Sequence, residues 1–208
     1  MSIPNDPPRG YGLSRESLAS CPLRQLNIWL QDAVATDMRY PTAMTLATLG
    51  ADGRLDQRTV LLKHCDQDGL VFFADPASKK IQDLSLFPSV SLHFFWRELD
   101  RQVRICGRAE KLDATLTTHY FIHQPDHQKT SKSRAEEGLS TRNFLLQQFE
   151  MMRSKFYGGA DRMAGRWSGY RVVPDYLEFW QGGGPRLRDR FIYQRIDTGE
   201  WEIICAKD

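Results

Sequence analysis

Along the chain the spacing of apolar residues changes period several times, and each change marks an element. Leu23, Leu26, Trp29, Leu30, Ala33 and Val34 recur at helical spacing behind Pro22, which suits a first turn, so a helix is predicted from Pro22 to about Ala35. The period then drops to two. Strands are predicted at Ala43 to Leu49, Leu55 to Lys63 and Leu70 to Ala74, joined by turns at Gly50-Ala51-Asp52-Gly53 and Asp66-Gln67-Asp68-Gly69, the pattern of an antiparallel meander. A short helix from Ser78 to Phe87 interrupts it, and strands resume at Ser89 to Trp96 and Gln102 to Leu112. Helical patterns follow near Ala114 to Ile122 and from Ser140 to Tyr157, the latter with an apolar stripe of Phe144, Leu145, Phe149, Met152 and Phe156. The chain closes on strands at Gly169 to Val173, Tyr176 to Trp180, Asp189 to Arg195 and Trp201 to Cys205. Many short strands with few helices predict a mainly β fold, an antiparallel barrel with helices packed outside. Residues 1–20, with Pro4, Pro7 and Pro8, read as an irregular arm, and residues 21–208 as one domain.

Composition narrows the classes. The 28 basic and 26 acidic residues leave a net charge of +2, which argues against a protein built to neutralise a nucleic-acid backbone. Cys21, Cys65, Cys106 and Cys205 form no Cys-x-x-Cys pair, so neither a zinc ribbon nor a disulfide scaffold is indicated, and reduced thiols in a cytosol fit them. No apolar run approaches the roughly 20 residues of a membrane span, and the opening MSIPNDPPRGYG lacks the apolar core of a signal peptide. The expectation is a soluble, cytoplasmic protein.

Local charge then carries the chemistry. In EFWQGGGPRLRDRF, Arg186, Arg188 and Arg190 fall two residues apart, so on a strand all three guanidinium groups face one way, about 6.6 Å from one to the next. Such a comb calls for an anion among the charges, phosphate or carboxylate, and the turn Gly182-Gly183-Gly184-Pro185 ahead of it leaves room for a flat ligand against backbone. A charged edge strand that resists aggregation reads the same way. In Arg58-Thr59-Val60-Leu61-Leu62-Lys63, Arg58 shares a face with Val60 and Leu62, and Lys63 the opposite face with Leu61. The two charges stand at the ends of an apolar strand, where a barrel rim could bind a ligand. Lys79 and Lys80 follow Ser78 at a helix start, where they oppose the helix dipole but together with free N–H groups would hold a phosphate. His119, His123 and His127 recur every four residues, yet Pro125 breaks the helix face they would need to share, so no metal site is called. Phe94, Phe95 and Trp96 alternate on a strand and read as core packing rather than base stacking. No Gly-x-Gly-x-x-Gly, Walker loop or Gly-x-Ser-x-Gly elbow is present.

Taken together, PTAMTLATL with RTVLLK, the SKK helix start, LDRQVRICGRAEKL and EFWQGGGPRLRDRF resemble the pyridoxamine 5′-phosphate oxidase family of flavoproteins, in order, from about Pro22 onward. The resemblance implies an FMN-binding split antiparallel β-barrel, a homodimer with FMN at the subunit interface, and hydride transfer to the flavin with oxygen as acceptor. It implies that Arg58, Lys79 and Lys80 hold the flavin phosphate and ribityl chain, with the strand Arg58, Thr59, Val60, Leu61, Leu62, Lys63 alongside. Phe73, Ala74, Gln102, Trp180 and Arg190 would meet the ring, and Ser133 stands in for contacts the family makes from the stretch here reading KTSKSRAEEG. Lys63, Tyr120 and Arg186 match positions that contact the pyridoxyl phosphate substrate.

Other substrate positions depart from the family. Gln124 and Gln128 stand where it has an arginine and a serine. Arg186-Leu187-Arg188 replaces its Arg-x-His, putting a fixed charge where an imidazole can be neutral. Tyr40 stands before Pro41 where an acidic residue is usual. With Arg186 and Arg188 as the catalytic pair, the expectation is an FMN-dependent oxidase whose pocket has diverged toward another anionic ring compound. An authentic pyridoxamine or pyridoxine 5′-phosphate oxidase is the alternative, and a non-enzymatic flavin or haem binder a third reading, against which the second anion site at Lys63 and Arg186 argues.

Overall fold

Pro22 opens α1 (Pro22–Ala35) at the turn where its missing N–H is no loss, and Leu23, Leu26, Trp29, Leu30 and Ala33 are buried along one side. The computed structural model describes residues 13–36, 38–122, 167–182 and 189–206. Within them, α1 packs on one antiparallel sheet made of β1 (Ala43–Leu49), β2 (Leu55–Leu61), β3 (His64–Asp66), β4 (Gly69–Ala74), β5 (Ser89–Trp96), β6 (Arg101–Lys111), β7 (Ser168–Gln181), β8 (Asp189–Arg195) and β9 (Trp201–Cys205). Two further helices, α2 (Lys79–Leu86) and α3 (Ala114–Ile122), flank it. The strand order is β2-β1-β5-β6-β7-β4-β3, and β8 pairs with β7 and β9.

The pairing register sorts side chains into rows that run across the strands. Leu46, Leu92, Ile105, Leu177 and Tyr193 form one inward row across β1, β5, β6, β7 and β8, each fully buried. Phe94, Val103, Phe179 and Phe191 form the next. Trp29 of α1 meets Phe179 and Trp96 edge-on, at 5.1 and 6.4 Å between ring centroids, and the Trp96 indole donates to Pro41 O at 2.8 Å.

Three expectations meet a different outcome. The strands expected at 169–173 and 176–180 are one continuous strand, β7. Pro174 offers no N–H, but the register shifts beside it: Cys106 of β6 pairs with Tyr176 and Gly107 with Pro174, so Asp175 of β7 is the bulged residue and pairing continues on both sides of it. A Cβ on Gly107 would lie 2.3 Å from Val173 O, which only glycine avoids. The strand expected to reach Lys63 ends at Leu61, and a short separate strand, β3, follows; the Lys63 N–H donates to Val71 O of β4 at 2.8 Å. Residues 13–20, read as part of the arm, carry a 3-10 turn at Arg15–Ser17 closed by Ser14 and dock on β8: the Leu13 N–H donates to Asp189 Oδ2, the Tyr193 hydroxyl donates to Ala19 O, and Leu18 enters the core. The helix expected from Ser140 to Tyr157 lies outside the described residues.

Candidate functional site

Arg58 pairs with Leu46 and so ends the inward row of Leu46, Leu92 and Ile105 with a charge, where α2 approaches β1 and β2. Its guanidinium Nη2 is 2.5 Å from Asp56 Oδ2 and 3.8 Å from Asp83 Oδ2, and Nη1 donates to Thr48 Oγ1 at 2.7 Å. Lys79, in the first turn of α2, brings its ammonium 3.1 and 3.2 Å from the two Asp83 oxygens and 3.8 Å from Asp56 Oδ2. The Thr48 hydroxyl donates to Asp83 Oδ2 at 2.8 Å. Burial pushes the Asp83 carboxyl up, but hydrogen bonds from Thr48 and Lys79 and the charges of Lys79 and Arg58 outweigh it and hold it below its ordinary value. Lys80 makes no hydrogen bond or ion pair among the described residues. The Ser78 hydroxyl donates to Asp75 O rather than capping α2, so no side chain covers the helix's first N–H groups.

On the opposite face the register lines up Phe95, Gln102, Trp180 and Arg190 in a single row across β5, β6, β7 and β8. The resemblance singled out three of these four from distant parts of the chain. Gln102 Oε1 and His93 Nε2 are 3.2 Å apart, an arrangement in which the ring N–H donates and the amide nitrogen of Gln102 stays available. Arg190 Nε lies 3.2 Å from Glu178 Oε2, a buried carboxylate of the neighbouring row on the same face, which also accepts from the Tyr176 hydroxyl at 2.8 Å and from Arg104 at 3.4 Å. Trp180 is half-buried between an amide and a guanidinium, a setting suited to a flat heterocycle.

Lys63 lines a cleft of about 280 Å³ between α1 and the start of β3, with Asn27, Gln31, Thr42 and Cys65. Its ammonium has no hydrogen bond or ion pair among the described residues, and burial pushes its pKa down. Cys65 is no nucleophile here, because burial and Asp66 push its thiol up to about 12. Tyr120 belongs to another cluster. Its hydroxyl donates to Asp66 Oδ2 at 2.9 Å and accepts from Arg171 Nη2 at 2.5 Å, and its ring lies 4.8 Å from that of His64. Burial raises the Asp66 carboxyl, but the bonds from Tyr120 and the Asp68 N–H, with the charges of Arg171 and His64, bring it down overall. No hydrogen bond joins Lys63 to Tyr120 among the described residues.

Val60, Leu62 and Ala74 are core residues whose side chains are taken up by packing, and the Leu62 N–H donates to Thr42 O at 2.9 Å, whereas Thr59, Leu61 and Phe73 keep exposed surface. Gln124, Gln128, Ser133, Arg186 and Arg188 lie outside the described residues, as do His123 and His127. Among the described residues no group of three or more His, Cys, Asp or Glu could hold a metal ion. Sequence reasoning missed Asp56, Thr48, Asp83, Glu178 and His93. For Asp83 the signal was available: it stands four residues after Lys79 on a predicted helix.

A family model described as pyridoxamine 5′-phosphate oxidase matches residues 30–156, and one described as the pyridoxine 5′-phosphate oxidase C-terminal dimerisation region matches residues 167–204. The chain belongs to the pyridoxamine 5′-phosphate oxidase family. Among its relatives, a pyridoxine/pyridoxamine 5′-phosphate oxidase of Teredinibacter turnerae is 44% identical over 194 residues, 92% of each chain. One of Hahella chejuensis is 43% identical with the same coverage. PhzG of Burkholderia lata, solved with tetrahydrophenazine-1-carboxylic acid, is 26% identical with a TM-score of 0.68 over 93% of this chain and 95% of that one. An FMN-binding protein of Nostoc punctiforme shares the fold at 16% identity and a TM-score of 0.67. The fold is the FMN-binding split barrel, and the chain is an FMN-dependent oxidoreductase. The residues fit the cofactor: a cation pair beside an uncapped helix start suits a phosphate, and the row from Gln102 to Arg190 suits a flat, polar-edged ring.

Proposed function

We propose that the protein oxidises pyridoxine and pyridoxamine 5′-phosphate to the aldehyde, with dioxygen as the electron acceptor. Lys63 carries this reading. An ammonium withdrawn from water with no counter-ion among the described residues, at the wall of a cleft, suits an anionic group on an incoming molecule. Relatives bearing that name across 92% of the chain support it.

When bound, FMN supplies the two-electron acceptor chemistry. The chain's own part is to hold and orient. Arg58, Lys79 and Lys80, with Ser133, would grip the flavin phosphate, and Thr59 and Leu61 would line the ribityl chain. Trp180 would offer a ring face, Gln102 its amide donors, and Arg190 a positive charge where reduction adds a negative one. Lys63, Tyr120, Gln124 and Gln128 would take the substrate, with Arg186 and Arg188 at its reacting end. Arg58 ends an inward row while Trp180 stands in an outward one, so we infer a homodimer in which each flavin meets both protomers. The match to a dimerisation region supports it, as do two large apolar side chains on that outward face, Phe95 at 60% and Ile204 at 42% exposure.

A second reading, oxidation of another anionic ring compound, is favoured by Arg188, which puts a fixed charge in the family's Arg-x-His position. The test is oxygen uptake by the purified yellow holoprotein on pyridoxine 5′-phosphate, pyridoxamine 5′-phosphate and a partly reduced ring carboxylate. Turnover on both phosphates is expected. Turnover on the carboxylate alone would replace the first reading with the second, and a colourless protein that takes up no FMN would sink both.

A further inference from the structure

Two carboxylates share the Arg58–Lys79 pair, and the fold gives them unequal freedom. We propose that Asp83 is the fixed counter-ion that positions both cations for the flavin phosphate, and that Asp56 is a displaceable one that occupies the phosphate's place and competes for it. The proposal rests on FMN as the cofactor and is independent of the substrate.

Asp83 cannot leave. Its side chain is 6% exposed, and it is held by Thr48 Oγ1 at 2.8 Å as well as by Lys79 at 3.1 and 3.2 Å. Swinging it away would strand a buried carboxylate and a buried hydroxyl. Held in place, it fixes the ammonium of a helix residue and the guanidinium of a strand residue around one point. Asp56 differs on each count. It is 43% exposed, it touches Arg58 at 2.5 Å and Lys79 at 3.8 Å, and it accepts nothing else among the described residues. It grows from β2, which among the described residues is an edge strand paired with β1 alone, so a rotamer change carries its carboxylate into water without disturbing the ladder.

Charge decides why the movement matters. Arg58 and Lys79 against the two carboxylates are neutral as a set, so an arriving phosphate, drawn beforehand only by Lys80, gains the attraction of that pair when one carboxylate withdraws. A phosphate offers three acceptor oxygens to the guanidinium fork and the ammonium together, which one carboxylate does not match. Asp56 therefore holds the phosphate's place before the cofactor arrives and sets how much FMN is needed to fill the site.

Apoprotein prepared from the holoprotein, as wild type, Asp56→Asn and Asp83→Asn, is titrated with FMN and with riboflavin by flavin fluorescence. Riboflavin has the same ring and ribityl chain but no phosphate, so it isolates the phosphate contribution. Asp56→Asn is expected to lower the Kd for FMN about tenfold and Asp83→Asn to raise it about tenfold, with riboflavin unchanged in both. An Asp56→Asn protein that binds FMN no more tightly, or that shifts riboflavin equally, overturns the competing role. An Asp83→Asn protein with unchanged FMN affinity overturns the positioning role. Asp56 is half-exposed, so its variant folds even if loss of Asp83 does not allow folding, and its result alone is decisive. Wild-type apoprotein that binds neither flavin would overturn the cofactor and both roles with it.

Discussion

An ammonium kept from water with no counter-ion destabilises the chain that carries it, and among the described residues Lys63 is in that position. Its pKa in the fold is lowered, so the charged form is disfavoured by folding: the penalty is present at low pH and is relieved as pH rises past the lowered value. Lys63→Met, of similar length, should therefore stabilise the apoprotein by about 1 kcal/mol near neutral pH, read from urea unfolding, while raising the KM for a phosphorylated substrate by at least about tenfold. A bound anion would also lift the lysine's pKa back toward 10.5, so binding should take up protons between the two values. Calorimetry in buffers of different ionisation enthalpy detects that uptake. A variant that is less stable than wild type, or that takes up as many protons, would show Lys63 already satisfied inside the fold.

At the scale of elements, Asp66 is the point where the β3–β4 hairpin, α3 and β7 are tied together, through Tyr120 on one side and Arg171 on the other. Its carboxyl is lowered overall, so its stabilisation is full above the ordinary carboxylate range and is lost as pH falls through the lowered value. Asp66→Asn should cost about 2 kcal/mol at pH 7, and the gap from wild type should close as pH falls below 3.8 and through the lowered value. A gap that stays constant with pH would mean the amide loses packing rather than charge. Most of these elements were legible in the sequence because one buried face imposes a clean period: α1, β1, β5, β8 and β9 match their predicted bounds. β3 is three residues long and shows no period, and β7 looked like two strands because Pro174 and the bulged Asp175 beside it interrupt the pattern of a strand that pairs on both sides of them. The cations of the candidate site were legible by type and spacing. Of their counter-ions, Asp83 could be read only as an i,i+4 partner of Lys79, and Asp56 beside Arg58 looks like an ordinary surface charge until the fold brings α2 against β1 and β2.

For the molecule as a whole, one sheet presents two parts of the proposed cofactor site on different faces. Arg58 continues the inward row of Leu46 and Leu92, whereas Trp180 stands with Gln102 and Arg190 in an outward row. A flavin that touches both groups within one protomer would have to pass around the edge of the sheet, while two copies packed through the outward face supply both at once. The arrangement is testable by complementation. Arg58→Ala and Trp180→Ala are each expected to lose FMN, read as lost flavin absorbance. If the two groups come from different protomers, unfolding and refolding the variants together in equal amounts gives mixed dimers with one doubly damaged site and one intact site. Half the dimers are mixed and each regains one site of two, so about a quarter of the wild-type flavin and activity should return. A site built within a single protomer leaves every site in every dimer damaged, and nothing returns. Recovery near a quarter, absent when the variants are simply mixed without exchange, would place the two walls of the flavin site on different protomers.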